Sequence, residues 1–246
     1  MTITAIILFL SAVFGGLLIY LIPEQKGNSF RLSLTFAGAY LFSITIVHII
    51  PEIYSHPLEG INVGIYMLLG YFLQQVLEYF SSGIEHGHVH HKADDHSHTG
   101  LGVVSVLLAL SIHSFLEGGM LAHPSNLHAN HQNQTLLVGI VLHKIPAAYA
   151  LMSIITCRTK KIAIVLFTLL LFAIASPMGL LVSGYSYSNQ LISDHTSLIL
   201  FSIVCGSFLQ ISTTIVFESS PQHKFDIKRF GLAILGAFTA IASELI

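Results

Sequence analysis

An all-α, polytopic membrane fold is what this sequence predicts, and three observations predict it. Of its 246 residues 53% are hydrophobic and only 9% charged, whereas a chain facing water carries roughly 25% charged residues. Apolar runs long enough to cross a hydrocarbon core about 30 Å thick, which takes roughly 20 helical residues, occur eight times. Each run is continuous, while the strands of a membrane barrel would be about ten residues long with alternating polarity. The lipid bilayer is therefore an expected partner. Nucleic acid is not, because the net charge is -2 and no basic patch is interleaved with aromatic residues.

The first run, Ile3 to Leu21, has no Lys or Arg in its first ten residues and no A-x-A-like cleavage site. It is longer than the apolar core of a signal peptide, so a retained helix is expected. The second, Leu32 to Ile50, ends on His48-Ile49-Ile50-Pro51-Glu52, and the third spans Ile61 to Phe80. A polar loop follows, Gly83 to Thr99, with six of the chain's fifteen histidines. Such a tract binds metal loosely and is too polar to fold alone. The fourth and fifth runs, Leu101 to Leu121 and Leu136 to Ile155, both contain ionisable residues. Ile162 to Val182, Ser197 to Val216 and Phe230 to Ile246 complete a single transmembrane domain over residues 1–246. Cys157 and Cys205 lie in or beside apolar runs without CxxC-type spacing, which points to packing rather than to a disulfide or a thiolate site.

If the eight helices alternate in direction, the odd-numbered loops share one side. Those loops and their borders hold Lys26, Arg31, Lys92, Arg158, Lys160, Lys161, Lys224, Lys228 and Arg229, nine of the ten basic residues. The positive-inside rule then makes them cytoplasmic and puts both termini outside. The outer loops carry Glu52, Glu59 and Asp194, a charge balance that attracts cations modestly.

The tenth basic residue, Lys144, lies within the fifth run. An ammonium there is expensive in lipid and therefore marks a site. The fourth run reads His113-Ser114-Phe115-Leu116-Glu117-Gly118 and the fifth His143-Lys144-Ile145-Pro146-Ala147. His113 and Glu117 are four apart, share one helical face and can hold one ion together. His113 stands about 18 Å in from the start of its run and His143 about 10 Å in from the start of its own, opposite one. Across a core about 30 Å thick these depths agree, so His143 is the candidate third ligand. Two imidazoles and a carboxylate suit Zn²⁺ and equally Fe²⁺, Mn²⁺, Co²⁺, Ni²⁺ or Cd²⁺. Pro146 removes a helical hydrogen bond to Leu142, which predicts a loosened helix beside His143. Gly118 and Gly119 allow close helix approach. His48 and Glu52, also four apart, make an outer ligand pair. His123, His128 and His131 are candidates to gather ions at the outer face, and Glu78, Glu218 and His223 are candidate exit contacts.

These residues resemble the ZIP (Zrt/Irt-like protein) family of metal transporters. The HSFLEG and HKIPAA stretches are similar to the family's HSxxEG-like and HxxPxx motifs, His48 to Glu52 to its HxxPE, and Gly206-Ser207-Phe208-Leu209 to its GTFLY. The resemblance implies a 3+2+3 arrangement, with helices 1 to 3 related to helices 6 to 8 by an inverted repeat. It also implies transport of divalent metal into the cytoplasm, zinc first, with no permanently bound cofactor and no enzymatic activity. Members with two bound metals usually have Asn or Asp after the helix 5 His and Glu four residues beyond it, where this sequence has Lys144 and Ala147. Ser114 stands where Asn is common. A single bound ion is therefore expected, with Lys144 in place of the second charge and pairing with Glu117; Gln210 is a candidate for a weak oxygen ligand or a contact behind the ligands, with packing as the favoured role. A metal sensor, or a metal-binding membrane protein no longer competent for transport, is the alternative that Lys144 and Ala147 motivate. An intramembrane hydrolase would use His113 and His143 as zinc ligands and Glu117 as base, but the chain lacks an HExxH pair. Economy of length suggests a bacterial plasma membrane, and a homodimer is an open option.

Overall fold

A computed structural model describes residues 1–21, 28–55, 62–81, 101–122, 132–218 and 226–245. The described residues are helical throughout their ordered elements, with no strand among them. In chain order the helices are α1 (Thr2–Leu21), α2 (Asn28–Ile44), α3 (Ile50–Ser55), α4 (Val63–Ser81), α5 (Leu101–Met120), α6 (Gln132–Arg158), α7 (Ile162–Ser188), α8 (Asp194–Glu218) and α9 (Ile227–Leu245). A π-helical turn, Thr45–Ile49, joins α2 to α3 into one rod. The second apolar run is expected to end at Ile50, just before Pro51, whose ring nitrogen cannot donate to the carbonyl four residues back. The chain instead widens: Ile50 N–H bonds to Thr45 O, five residues back, and the helix continues past Pro51 to Ser55. The Gly83 to Thr99 loop, Glu59, His123, His128, His131 and His223 lie outside the described residues.

Five stretches are long and apolar enough by themselves to cross a bilayer among the described residues: Thr2–Leu21, Leu32–Ser55, Gln134–Arg158, Ile162–Ser188 and Asp194–Ile215. The apolar part of α5, Val104–Met120, is shorter. α4 and α9 are two-sided, with Ile65, Leu68, Phe72, Phe230, Ile234 and Phe238 exposed and with Gln74, Glu78, Arg229 and Glu244 in the same helices.

Surface and interior are inverted relative to a water-soluble protein. Ile3, Phe14, Leu68, Phe72, Phe167 and Phe238 are more than half exposed, while His113, Glu117, His143, Lys144, Ser176 and Gln210 are buried. Water would penalise that apolar surface, and hydrocarbon accepts it. The chain is a multi-pass membrane protein.

The helices pack as two sets. α1 lies on α6 and α7, and α5 on α7; α2 lies on α8 and α9, and α4 on α8. The sets meet where α2 touches α6 and α4 touches α5. Small residues set the tightest crossings, as in membranes generally. A Cβ at Gly118 would overlap the Ser176 carbonyl and one at Gly179 the Phe115 carbonyl, so α5 and α7 meet backbone to backbone.

Buried apolar clusters flank the middle of the bundle. One contains Ile44, Met120, Leu121, Leu136, Ile140, Phe201, Val204 and Phe208 and spans both sets. The other contains Ala12, Val106, Leu110, Ala147, Leu151 and Phe172 and stays within the α1, α5, α6 and α7 set. Along α5 the first cluster follows Glu117 and the second precedes His113; along α6 the first precedes His143 and the second follows it. Between them lies a layer of polar side chains.

Candidate metal centre

One turn of α5 puts His113 and Glu117 on the same face, with His113 Nε2 3.0 Å from Glu117 Oε1. From α6, His143 brings its ring edge-on to that of His113, with centroids 5.8 Å apart and an interplanar angle of 85°. One ligand atom from each of the three lies within 4.8 Å of the others. Zinc bonds of about 2.0 to 2.1 Å in a tetrahedron put neighbouring ligand atoms about 3.3 Å apart, so one ion and a small side-chain movement close the set. His113, Glu117 and His143 are exposed by 4%, 2% and 1%. A carboxylate so deeply buried must be compensated by cations or hydrogen bonds.

Lys144 supplies compensation. Its Nζ is 3.7 Å from Glu117 Oε2, donates to Ser114 Oγ and donates to Ser176 Oγ at 2.5 Å. Three protons on an ammonium thus face two hydroxyls and a carboxylate. Both serines are held in turn: Ser176 Oγ donates to the Ser114 carbonyl at 2.7 Å, and the two hydroxyls are 3.0 Å apart. The Phe172 ring lies 4.9 Å from Nζ, close enough for a cation–π contribution. The contact of Gly118 with the Ser176 carbonyl is what brings α7 near enough for Ser176 to reach. α6 runs unbroken through Pro146, and Ala147 packs in the apolar cluster with Ala12 and Leu110.

The remaining candidates fall elsewhere. Gln210, on α8, donates to Glu78 Oε2 on α4 and to Thr214 Oγ1 at 3.2 Å, so its amide is engaged within the other helix set. His48 and Glu52 meet at 3.4 Å, and His48 also meets Glu244 of α9 at 3.2 Å.

Sequence reasoning missed Ser176, Phe172 and Glu244. Glu244 carried a usable signal, a carboxylate inside an apolar run. Ser176 and Phe172 carried none, since a lone serine or phenylalanine in a membrane helix is ordinary.

No curated protein sequence matches the chain. Residues 82–242, more than half of it, match the family described as ZIP zinc transporter. The matched stretch includes His113, Glu117, His143, Lys144 and Gln210. The chain therefore belongs to the ZIP zinc transporter family.

Proposed function

We propose that the protein carries divalent metal ions, zinc first, across the bilayer into the cytoplasm, one ion at a time, through His113, Glu117 and His143. The observation that carries this reading is three metal-ligating side chains, buried midway through an apolar bundle, with ligand atoms within 4.8 Å of one another. A charged or ligating group in mid-membrane is costly and persists where it serves passage. The distribution of nine of the ten basic residues supports an orientation with both termini outside.

The packing also fits an inverted repeat. Exchanging α1, α2–α3 and α4 with α7, α8 and α9, and α5 with α6, maps the α1–α6 contact onto α7–α5 and the α4–α8 contact onto α9–α2. Transporters of this kind bind cargo at the midplane between repeats and rock one half against the other. Apolar side chains of both helix sets close over the site where α6 begins. In the opposite direction α4 and α8 offer Glu78, Gln210 and Thr214, a polar route suited to an ion leaving inward.

Lys144 limits the site to one divalent ion. At an effective dielectric constant of 20, unit charges 4 Å apart interact by about 4 kcal/mol. A second divalent ion beside the ammonium would then be repelled by about 8 kcal/mol. The ammonium also neutralises Glu117 when no ion is bound, so the unloaded carrier keeps no bare charge in the membrane.

The test is zinc uptake into proteoliposomes that enclose a zinc-sensitive dye, comparing the intact chain with His143→Ala at matched reconstitution. Saturable uptake that falls at least about 100-fold in the variant is expected, because even groups that merely support metal ligands cost 10- to 100-fold when removed. Tight zinc binding without uptake in the intact chain would establish the sensor reading instead.

A further inference from the structure

Away from the central site, a second set of metal-ligating side chains meets at the end of the bundle where α3 and α9 terminate. His48 Nε2 is 3.4 Å from Glu52 Oε2, and His48 Nδ1 is 3.2 Å from Glu244 Oε2. The side chains are 10%, 15% and 13% exposed, respectively, so they are sheltered but reachable by solvent. All three lie outside residues 82–242, the stretch that carries the family match.

We infer that His48 and Glu52 form an outer metal-binding site that receives zinc before it reaches the central ligands, with Glu244 orienting the His48 ring. This inference rests on the transport reading for its role, though not for its chemistry. Two atoms on a tetrahedral zinc ion with bonds of about 2.0 to 2.1 Å are about 3.3 Å apart, which is the spacing of His48 Nε2 and Glu52 Oε2. Water completes the remaining positions, as suits a site that must release its ion. On the other side of the ring, Glu244 Oε2 lies 3.2 Å from Nδ1, placed to accept from an Nδ1–H in the tautomer that presents the Nε2 lone pair to metal. A carboxylate behind a ligating imidazole recurs in metal sites for this reason.

Backbone geometry serves the same end. His48 sits within the π-helical turn Thr45–Ile49, and such turns recur at functional sites because the inserted residue re-aims a side chain. Neighbouring contacts hold α9 in register: Tyr40 Oη donates to the Thr135 carbonyl at 3.2 Å and lies 3.2 Å from Ser243 Oγ. α2, α6 and α9 thus converge beside the outer pair. Thr135 precedes His143 on α6 by eight residues, about 12 Å along the helix, so an ion leaving the outer pair has a short path to the central ligands once the two helix sets part.

The experiment counts zinc bound per chain by equilibrium dialysis with the full-length protein. His113→Ala with His143→Ala removes the central site, and His48→Ala is then added; the histidine-rich loop contributes equally to both proteins. A loss of one zinc ion per chain on adding His48→Ala is expected. In the same background Glu244→Gln should keep that ion and weaken its binding 10- to 100-fold. Glu52→Gln, which preserves shape, should also remove the ion and keeps the test readable if His48→Ala misfolds. Equal zinc counts with and without His48 and Glu52 would overturn the inference. Uptake is measured separately. An intact chain that binds this zinc without transporting any would defeat the transport reading alone, and transport without a His48-dependent ion would defeat the outer site alone.

Discussion

Two histidine–glutamate pairs, each four residues apart on one helix, sit at different depths in this protein, and comparing them separates what sequence spacing does from what surroundings do. His113 and Glu117 are nearly inaccessible, 3.0 Å apart, and joined by a second imidazole from α6. His48 and Glu52 are 3.4 Å apart, partly exposed, and joined by a carboxylate. Both pairs set an imidazole beside a carboxylate four residues on, within a regular α-helix for the inner pair and from a π-helical turn into α3 for the outer one. Depth and the third group make the difference. At the inner pair the third group is an imidazole, a residue type that ligates metal, whereas at the outer pair it is a carboxylate beside the ring, a group suited to orienting it.

The largest effect that would test the comparison is replacement of each glutamate by its amide. Glu117→Gln removes a charged ligand and strands Lys144 as an uncompensated cation, so zinc uptake should fall at least about 100-fold. Glu52→Gln leaves the central site whole and should raise the zinc concentration at half-maximal uptake by up to about tenfold, with the maximal rate retained. Uptake into dye-loaded proteoliposomes over a range of zinc concentrations measures both. Equal losses in the two variants would mean that depth does not rank the pairs.

Lys144→Met tests the compensation that the outer pair does not need. Without the ammonium, Glu117 is a buried carboxylate lacking its cation, and removal of one partner of a buried pair costs about 3 to 5 kcal/mol. The metal-free protein should therefore unfold at a lower temperature. The sign reverses for zinc, since taking away a positive charge near the ligands strengthens attraction for a cation. Zinc should then raise the unfolding temperature more in the variant than in the intact chain. A metal-free variant as stable as the intact chain would remove Lys144 from the charge balance.

Much of this was legible in the sequence, for reasons that differ by feature. Helical membrane architecture follows from the length and continuity of apolar runs, which is a property of composition along the chain. The two His–Glu pairs follow from spacing, and His143 follows from matching depths on antiparallel runs. What could not be read is what depends on neighbouring helices. Ser176 enters the site because Gly118 lets the α7 backbone come close, and no spacing within α7 announces that. Gln210, a candidate for the metal layer on sequence grounds, is turned toward Glu78 by the packing of α8 on α4. The second apolar run stops at Ile50 in the sequence, yet a π turn carries the helix past Pro51 to Ser55. That leaves Glu52 on the helix one turn beyond His48, as their four-residue spacing predicts, by a π-helical route that spacing alone does not give.

The smallest effect concerns the serine relay beneath Lys144. Ser176→Ala deletes one acceptor for the ammonium and one donor to the Ser114 carbonyl, while Ser114 Oγ and Glu117 remain as partners of Lys144. Loss of one buried hydrogen-bonding partner costs about 1 to 3 kcal/mol, less than loss of the ammonium itself. The unfolding temperature of the metal-free protein should fall by correspondingly less than for Lys144→Met, with uptake reduced by less than about tenfold. Glycine at position 176 would delete the same hydroxyl and also loosen the helix, so alanine isolates the hydrogen bonds. If Ser176→Ala lowered stability as far as Lys144→Met, the serine would be fixing the position of the ammonium as well as accepting from it. Glu117 would then be compensated only while α7 stays against α5, which would make the Gly118 crossing part of the charge balance at the central site and leave the outer pair without any counterpart to it.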